Sequence, residues 1–276
     1  MLDPTWPWTP LVLWIALAGL LALLIVRTAL KDRREYQRFK RYRATLKRQA
    51  MFRKWLIDSL WSIGGVSLVL LALSWQFVAP LLAEWQSLIP LPGGLAWGVV
   101  AGMIGGLAAL TVIGIRSARR HPEDIPTVGD IGAMLPRNRQ ELRYGWALSI
   151  NAGISEELMF RLAMPAVVYG ASGNALLALI VPLVLFGALH LYQGPVGIIG
   201  TAIIGSIMAV AYIGTGTVIA PILMHALFDL RSLVVIPVTL YGAHEIDGRV
   251  QKYIPRPRPK PVAEPVVAES PAVETL

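Results

Sequence analysis

Glu156 and Glu157, with Arg161 four residues further on, stand in the run Asn151-Ala-Gly-Ile-Ser-Glu-Glu-Leu-Met-Phe-Arg161, inside sequence otherwise fit for the interior of a membrane. An ionisable side chain at the middle of a membrane helix costs about 2.5–3.5 kcal/mol even on lenient insertion scales, so such groups are kept for a purpose. On a helix Glu157 and Arg161 lie one above the other and neutralise each other. Glu156 is turned about 100° away from Glu157 and is left without a local counter-ion. That suits a group that takes and returns a proton.

Of the four histidines, His190 and His225 fall in apolar runs, whereas His121 and His244 fall in polar ones. Asp229 follows His225 by four residues and Phe186 precedes His190 by four, so each pair shares one helix face. Three separate runs thus carry unusual polar groups into hydrocarbon, an expensive pattern for unrelated structural pairs, and one shared polar site is expected. The set suits hydrolysis. Glu156 would serve as general base on a water and His190 would help hold or activate it. His225 with Asp229 would be oriented to stabilise an oxyanion. Glu156, His190 and His225 also resemble a catalytic zinc set with an open position, so a divalent metal such as zinc and no cofactor at all both stay open. The His-Glu-x-x-His metalloprotease signature is absent, and no Ser-His-Asp arrangement stands out.

Composition places these groups in a membrane. Apolar residues make up 55% of the chain and charged residues 15%, with a mean hydropathy of +0.58, outside the soluble range. Without cysteine there is no disulfide and no thiolate chemistry. The net charge of +8 is not a nucleic-acid signal. Of the 25 Lys and Arg, 12 fall between Arg27 and Lys54, 6 between Arg116 and Arg143, and 5 between Arg249 and Lys260. Clusters of this kind orient helices; they do not line a groove for DNA.

The pattern predicts an all-α polytopic bundle of about seven transmembrane helices. They cover about 11–26, 56–78, 94–115, the Glu-Glu segment to Tyr169 with a kink at Pro165, 174–192, 196–212, and from Gly216 to Leu240. The first run lacks a basic residue ahead of it and is followed by one, unlike a signal peptide, which puts the N-terminus outside. Seven crossings then leave the C-terminus and every basic cluster in the cytoplasm. Residues 1–55 read as one span plus a basic juxtamembrane helix, either lying along anionic lipid or solvated and merely fixing topology. The bundle proper is 56–242, with an outside loop over Pro80–Gly93. Gly94, Gly98, Gly102 and Gly106 form a stripe for close helix packing. Residues 243–276 read as a disordered Pro-rich tail. These boundaries set Glu156 near mid-membrane and His190 close to the cytoplasmic face. Either the fourth span starts later than drawn, or the helices tilt around a wet cavity.

Glu156-Glu157-x-x-x-Arg161, Phe186-x-x-x-His190 and His225-x-x-x-Asp229, in this order, resemble the CAAX-protease and bacteriocin-processing (CPBP, or Abi) family of intramembrane proteases. Leu135-Pro-Arg-Asn-Arg139 ahead of them is similar too, so the likeness covers about 135–231. It implies an endopeptidase site within a helical bundle, open to the cytoplasmic side, and a peptide or protein substrate that in eukaryotic members is prenylated. By the same likeness Glu156 and His190 activate the water and His225 and Asp229 serve the oxyanion. Glu157, Arg161 and Phe186 support them. The last motif more familiarly ends in Asn, and a carboxylate donates a hydrogen bond only when protonated. Asp229 would be a better metal ligand or orienter of His225. Two other classes compete with this one. A proton-coupled transporter would use the same groups as a relay but should show an inverted repeat, which is not seen. A non-catalytic scaffold or immunity protein would keep the helices for packing.

Overall fold

The computed structural model describes residues 2–120 and 130–249; His121 and the Pro-rich run 255–261 lie outside them. All regular structure among the described residues is helical: α1 (Thr9–Val26), α2 (Arg33–Phe39), α3 (Thr45–Ser59), α4 (Val66–Ser74), α5 (Val78–Leu88) and α6 (Gly93–Arg120), then α7 (Arg139–Glu157), α8 (Met164–Ser172), α9 (Ala175–Leu189), α10 (Gly194–Thr215), α11 (Ile219–Leu230) and α12 (Ile236–Tyr241). Widened π-helical turns at Arg27–Asp32, Leu60–Gly65, Leu158–Ala163 and Arg231–Val235 join successive helices into longer rods. Five stretches are long and apolar enough to cross a membrane: Thr9–Val26, Thr45–Leu88, Gly93–Arg120, Leu191–Thr215 and Ile219–Tyr241. Ala175–Leu189 is apolar but shorter. Ile15, Ile25, Leu68, Val69, Ile113, Val184 and Ile199 are exposed apolar side chains of the kind lipid covers. The protein is an integral membrane helical bundle.

The Glu-Glu helix is its axis. α7, the turn Leu158–Ala163 and α8 run without a break from Arg139 to Ser172, about 50 Å at helical rise. That exceeds the roughly 30 Å hydrocarbon core, so the charged first turns need not enter it. Met159, Ala163, Met164, Ala166 and Val167 along this rod are fully buried against α1, α4 and α9. Trp146, Ile150 and Ile154 leave one side of α7 exposed, but Glu157 and Arg161 are buried inside the bundle and kept from lipid, which is why this sequence is tolerated. Pro165 has no N–H for the carbonyl of Arg161, and the widened turn just before it takes up the mismatch where a kink was expected. Asn138 starts the rod, its side chain accepting the N–H groups of Gln140 and Glu141, a standard way to satisfy orphan donors.

Three expectations are corrected. The loop foreseen over Pro80–Gly93 is helical to Leu88, and Trp85 is buried, its indole N–H donating to the Ala175 carbonyl at 2.8 Å. The stripe Gly94, Gly98, Gly102 and Gly106 meets nothing among the described residues: a Cβ at any of them has no neighbour within 4 Å there. The basic segment is not one continuous helix. It breaks after Phe39 and folds back, burying Tyr36, Phe39 and Phe52. The rings of Phe39, Phe52 and Trp55 meet edge to face or tilted at 4.8–6.0 Å.

Candidate functional site

A second row of small residues does what the α6 stripe does not. Gly145, Ser149 and Gly153 recur every four residues on α7 and face α11 and the turn after it. A Cβ on Gly153 would lie 3.0 Å from the Ala226 Cβ and the Ile222 carbonyl, and one on Gly145 2.7 Å from the Leu233 carbonyl. Backbones approach this closely only where side chains are absent or small. The next residue on the same row is Glu157, and the approach delivers it to His225.

Glu157 is fully buried, with Oε1 2.7 Å from His225 Nδ1 and Oε2 3.0 Å from Arg161 Nε. Arg161 donates through Nη2 to the Gly205 carbonyl at 3.2 Å and lies 5.3 Å from the Phe186 ring centre. A carboxylate paired with a guanidinium accepts hydrogen bonds only, so Nδ1 of His225 carries the proton and Nε2 is left for the cavity. That Nε2 stands 3.8 Å from Asp229 Oδ2 and 4.0 Å from Glu156 Oε2. The i, i+4 relation of His225 and Asp229 is realised, and Glu157, expected only as the partner of Arg161, also fixes the imidazole.

His190 closes α9, and its Nδ1 lies 2.7 Å from the Phe186 carbonyl. A carbonyl cannot donate, so His190 too is protonated on Nδ1 and offers the lone pair of Nε2. Phe186 is the hub between the histidines, 5.0 Å from His190, 6.1 Å from His225 and 5.2 Å from Phe160, centre to centre. Gly205 makes room for it, since a Cβ there would come within 2.8 Å of the ring.

Glu156, His190, His225 and Asp229 all line one cavity of about 250 Å³. The structure therefore brings together every residue expected at the site. Its opposite wall was missed: Arg27, Asp32, Tyr36, Trp55 and Ser59 come from the N-terminal segment, and Asn151 from α7. Asn151 is tied to Ser59 Oγ at 3.0 Å. Tyr36 meets Tyr192 at 5.5 Å, and Tyr192 meets His190 at 6.1 Å. The Tyr36 hydroxyl donates to the Asp130 carbonyl, and Lys40 pairs with the Asp130 carboxylate. Burial pushes the Asp32 carboxyl and the Tyr36 phenol above their ordinary values. The aromatics at 36, 39 and 52 among the basic residues were the available signal for this wall.

A metal was left open for Glu156, His190 and His225. Among the described residues no group of three His, Cys, Asp or Glu side chains converges to hold an ion. Nδ1 of His225 is engaged by Glu157 and Nδ1 of His190 by a carbonyl, which leaves each Nε2 turned to the cavity as in a metal-ligating histidine, but the side chains as arranged do not converge on one point, and no step is routed through a metal.

Residues 138–231 match the family described as type II CAAX prenyl endopeptidase, Rce1-like. No curated protein and no solved structure matches the chain. The matched stretch begins at the α7 cap and takes in all four cavity-lining candidates together with Glu157, Phe186 and Arg161. Over this segment, about a third of its length, the chain is similar to the CAAX-protease family.

Proposed function

We propose that the chain hydrolyses a peptide bond in the cavity between α7, α9 and α11, without a covalent enzyme intermediate. Glu156 is the general base. The free acceptors of Glu156 and His190 take one proton each of a single water, which leaves an oxygen lone pair directed at the scissile carbonyl carbon. As Glu156 removes its proton, the C–O bond forms and the carbonyl π pair moves to oxygen. His225, in its protonated form, donates from Nε2 to that oxyanion. Collapse breaks the C–N bond, and the proton held by Glu156 goes to the leaving amine. Asp229 orients His225 from one side and Glu157 holds it from the other. Arg161 pairs with the second oxygen of Glu157, and Phe186 spaces the two imidazoles.

The observation that carries this reading is the split between two adjacent carboxylates. Glu157 is sealed against His225 and Arg161, while Glu156 opens on the cavity that both histidines line. The substrate is a peptide or protein segment reaching the cavity from the membrane, and a lipidated C-terminus is one form of it. The test uses full-length wild type and Glu156→Gln in detergent, with a peptide library that includes prenylated peptides, with and without chelator. Cleavage by wild type, lost in Glu156→Gln and insensitive to chelator, is the expected result. Cleavage that survives in Glu156→Gln overturns the assignment of the base, and chelator sensitivity overturns the metal-free scheme.

A further inference from the structure

Arg27 has a second face. Away from the cavity it lines a groove between two antiparallel rods, Leu23–Arg38 on one side and Ile57–Val66 on the other. The groove is graded along its length. One end is walled by Leu23, Val26, Trp61 and Val66 and the other by Lys31, Arg34 and Arg38. Trp61, at 71% exposure, and Val26 leave the apolar end open. Because the first rod continues from the span α1 into the basic α2, this gradient follows the direction in which a membrane passes from chain region to headgroup.

The charges in the groove are unevenly satisfied. Asp58 is held by Lys31 at 2.6 Å and by Lys54 at 2.8 Å; Glu35 is held by Lys54 at 2.6 Å and by the Trp55 indole N–H at 2.9 Å. Arg27 pairs with Asp32 at 3.3 Å. Arg34 and Arg38 are one turn apart, exposed, and form no ion pair with any of the described residues. Two spare guanidiniums at the polar end of an apolar slot complement one phosphodiester joined to an acyl chain.

We propose that this groove binds one anionic phospholipid, its phosphate on Arg34 and Arg38 and an acyl chain along Leu23, Val26, Trp61 and Val66. The guanidiniums supply the headgroup preference, and the apolar end restricts the ligand to a phosphate that carries a chain. Neither the peptidase reading nor any residue of the catalytic cavity is needed for this site.

The experiment is native mass spectrometry of the full chain released from detergent in the presence of phosphatidylglycerol, phosphatidylcholine or inorganic phosphate. One phosphatidylglycerol should be retained in preference to phosphatidylcholine, and inorganic phosphate should not displace it at equal concentration. Arg34→Gln with Arg38→Gln should weaken retention about thirtyfold, at about fivefold for each basic residue lost. Both side chains are exposed, so the variant keeps its fold, and Arg34→Lys with Arg38→Lys should restore most of the binding. Arg116→Gln with Arg119→Gln removes the same charge from the end of α6 and should change nothing. Equal retention of both lipids, displacement by inorganic phosphate, or equal weakening by the two Gln pairs overturns the site.

Discussion

His225 Nδ1 lies 2.7 Å from Glu157 Oε1, and the other oxygen of the same carboxylate lies 3.0 Å from Arg161 Nε. Both oxygens of Glu157 are thus spent on positioning, one on the imidazole and one on the guanidinium. Its neighbour Glu156, 100° round the helix, keeps its oxygens for the cavity. The adjacent glutamates meet opposite nitrogens of the same imidazole, Glu157 the buried Nδ1 and Glu156 the cavity-facing Nε2 at 4.0 Å.

The two glutamates should therefore separate stability from chemistry. Glu157→Ala leaves Arg161 buried without its counter-ion, and loss of one member of a buried pair costs about 3–5 kcal/mol. Thermal unfolding in detergent should show a large fall in Tm. Glu156→Gln is nearly isosteric at a cavity wall and should unfold close to wild type, while losing about 10²–10⁴-fold in kcat, the range for a general base. Equal Tm losses in the two variants would contradict this division.

Packing of α7 on α11 gives a second contrast. Gly153→Val drives methyl groups into the Ala226 backbone and the Ile222 carbonyl, 3.0 Å from the first added carbon, and should part Glu157 from His225. Peptidase activity should fall at least a hundredfold, a loss of the size expected when reacting groups move by about 1 Å. Gly98→Ala and Gly102→Ala on α6 add carbons that meet nothing within 4 Å, and activity and Tm should stay at wild-type values. A defect in the α6 variants equal to that of Gly153→Val would show that α6 is packed against something other than the described residues.

The two glycine rows also show how far the sequence could be read. Spacing by four was visible in both, and sequence gave no reason to prefer 145–153 over 94–106, because the pattern says that a helix can be approached but not what approaches it. The site motifs were legible for a different reason. An ionisable residue in an apolar run costs free energy unless partners meet it, so Glu156, Glu157, Arg161, His190, His225 and Asp229 marked themselves out. Tyr36, Trp55 and Arg27 did not, since aromatics among basic residues suit a lipid interface as well as a protein core. Which applies depends on the break after Phe39, a tertiary event. The π-helical turn before Pro165 was hidden likewise, proline announcing the disturbance without its form.

Asp229 is the departure from the familiar family pattern, and its distance of 3.8 Å from His225 Nε2 suits orientation by charge. Asp229→Asn keeps the shape and a hydrogen-bonding amide. It should retain kcat/KM within about tenfold, the lower end of what one half-buried charge near a cation contributes. Asp229→Ala leaves Glu156 as the remaining carboxylate near Nε2 and should lose more. The ordering wild type, Asn, Ala in steady-state peptide cleavage checks the assignment. An Asp229→Asn enzyme as impaired as Glu156→Gln would instead make Asp229 a proton-transfer group.

The N-terminal wall hangs on one buried cation. Arg48 is fully buried, with Nε 3.1 Å from both Glu141 oxygens, Nη1 2.9 Å from the Ala133 carbonyl and Nη2 3.1 Å from the Leu135 carbonyl. Its guanidinium lies 4.4 Å from the Phe39 ring centre and 5.5 Å from that of Phe52. Glu141 in turn accepts the Arg137 N–H at 3.0 Å and the Thr45 hydroxyl at 3.0 Å. One ion pair thus joins α3, the aromatic cluster and the first turn of α7, beside the residues Tyr36 and Trp55 that meet the cavity. Arg48→Ala strands Glu141 and opens the cluster, so it should cost about 3–5 kcal/mol, whereas Arg48→Met with Glu141→Leu removes both charges and should recover most of that loss. If the pair also positions the wall, the double variant will regain Tm while keeping a raised KM for peptide, because methionine cannot bind the Ala133 and Leu135 carbonyls. Recovery of Tm and KM together would reduce the pair to packing alone.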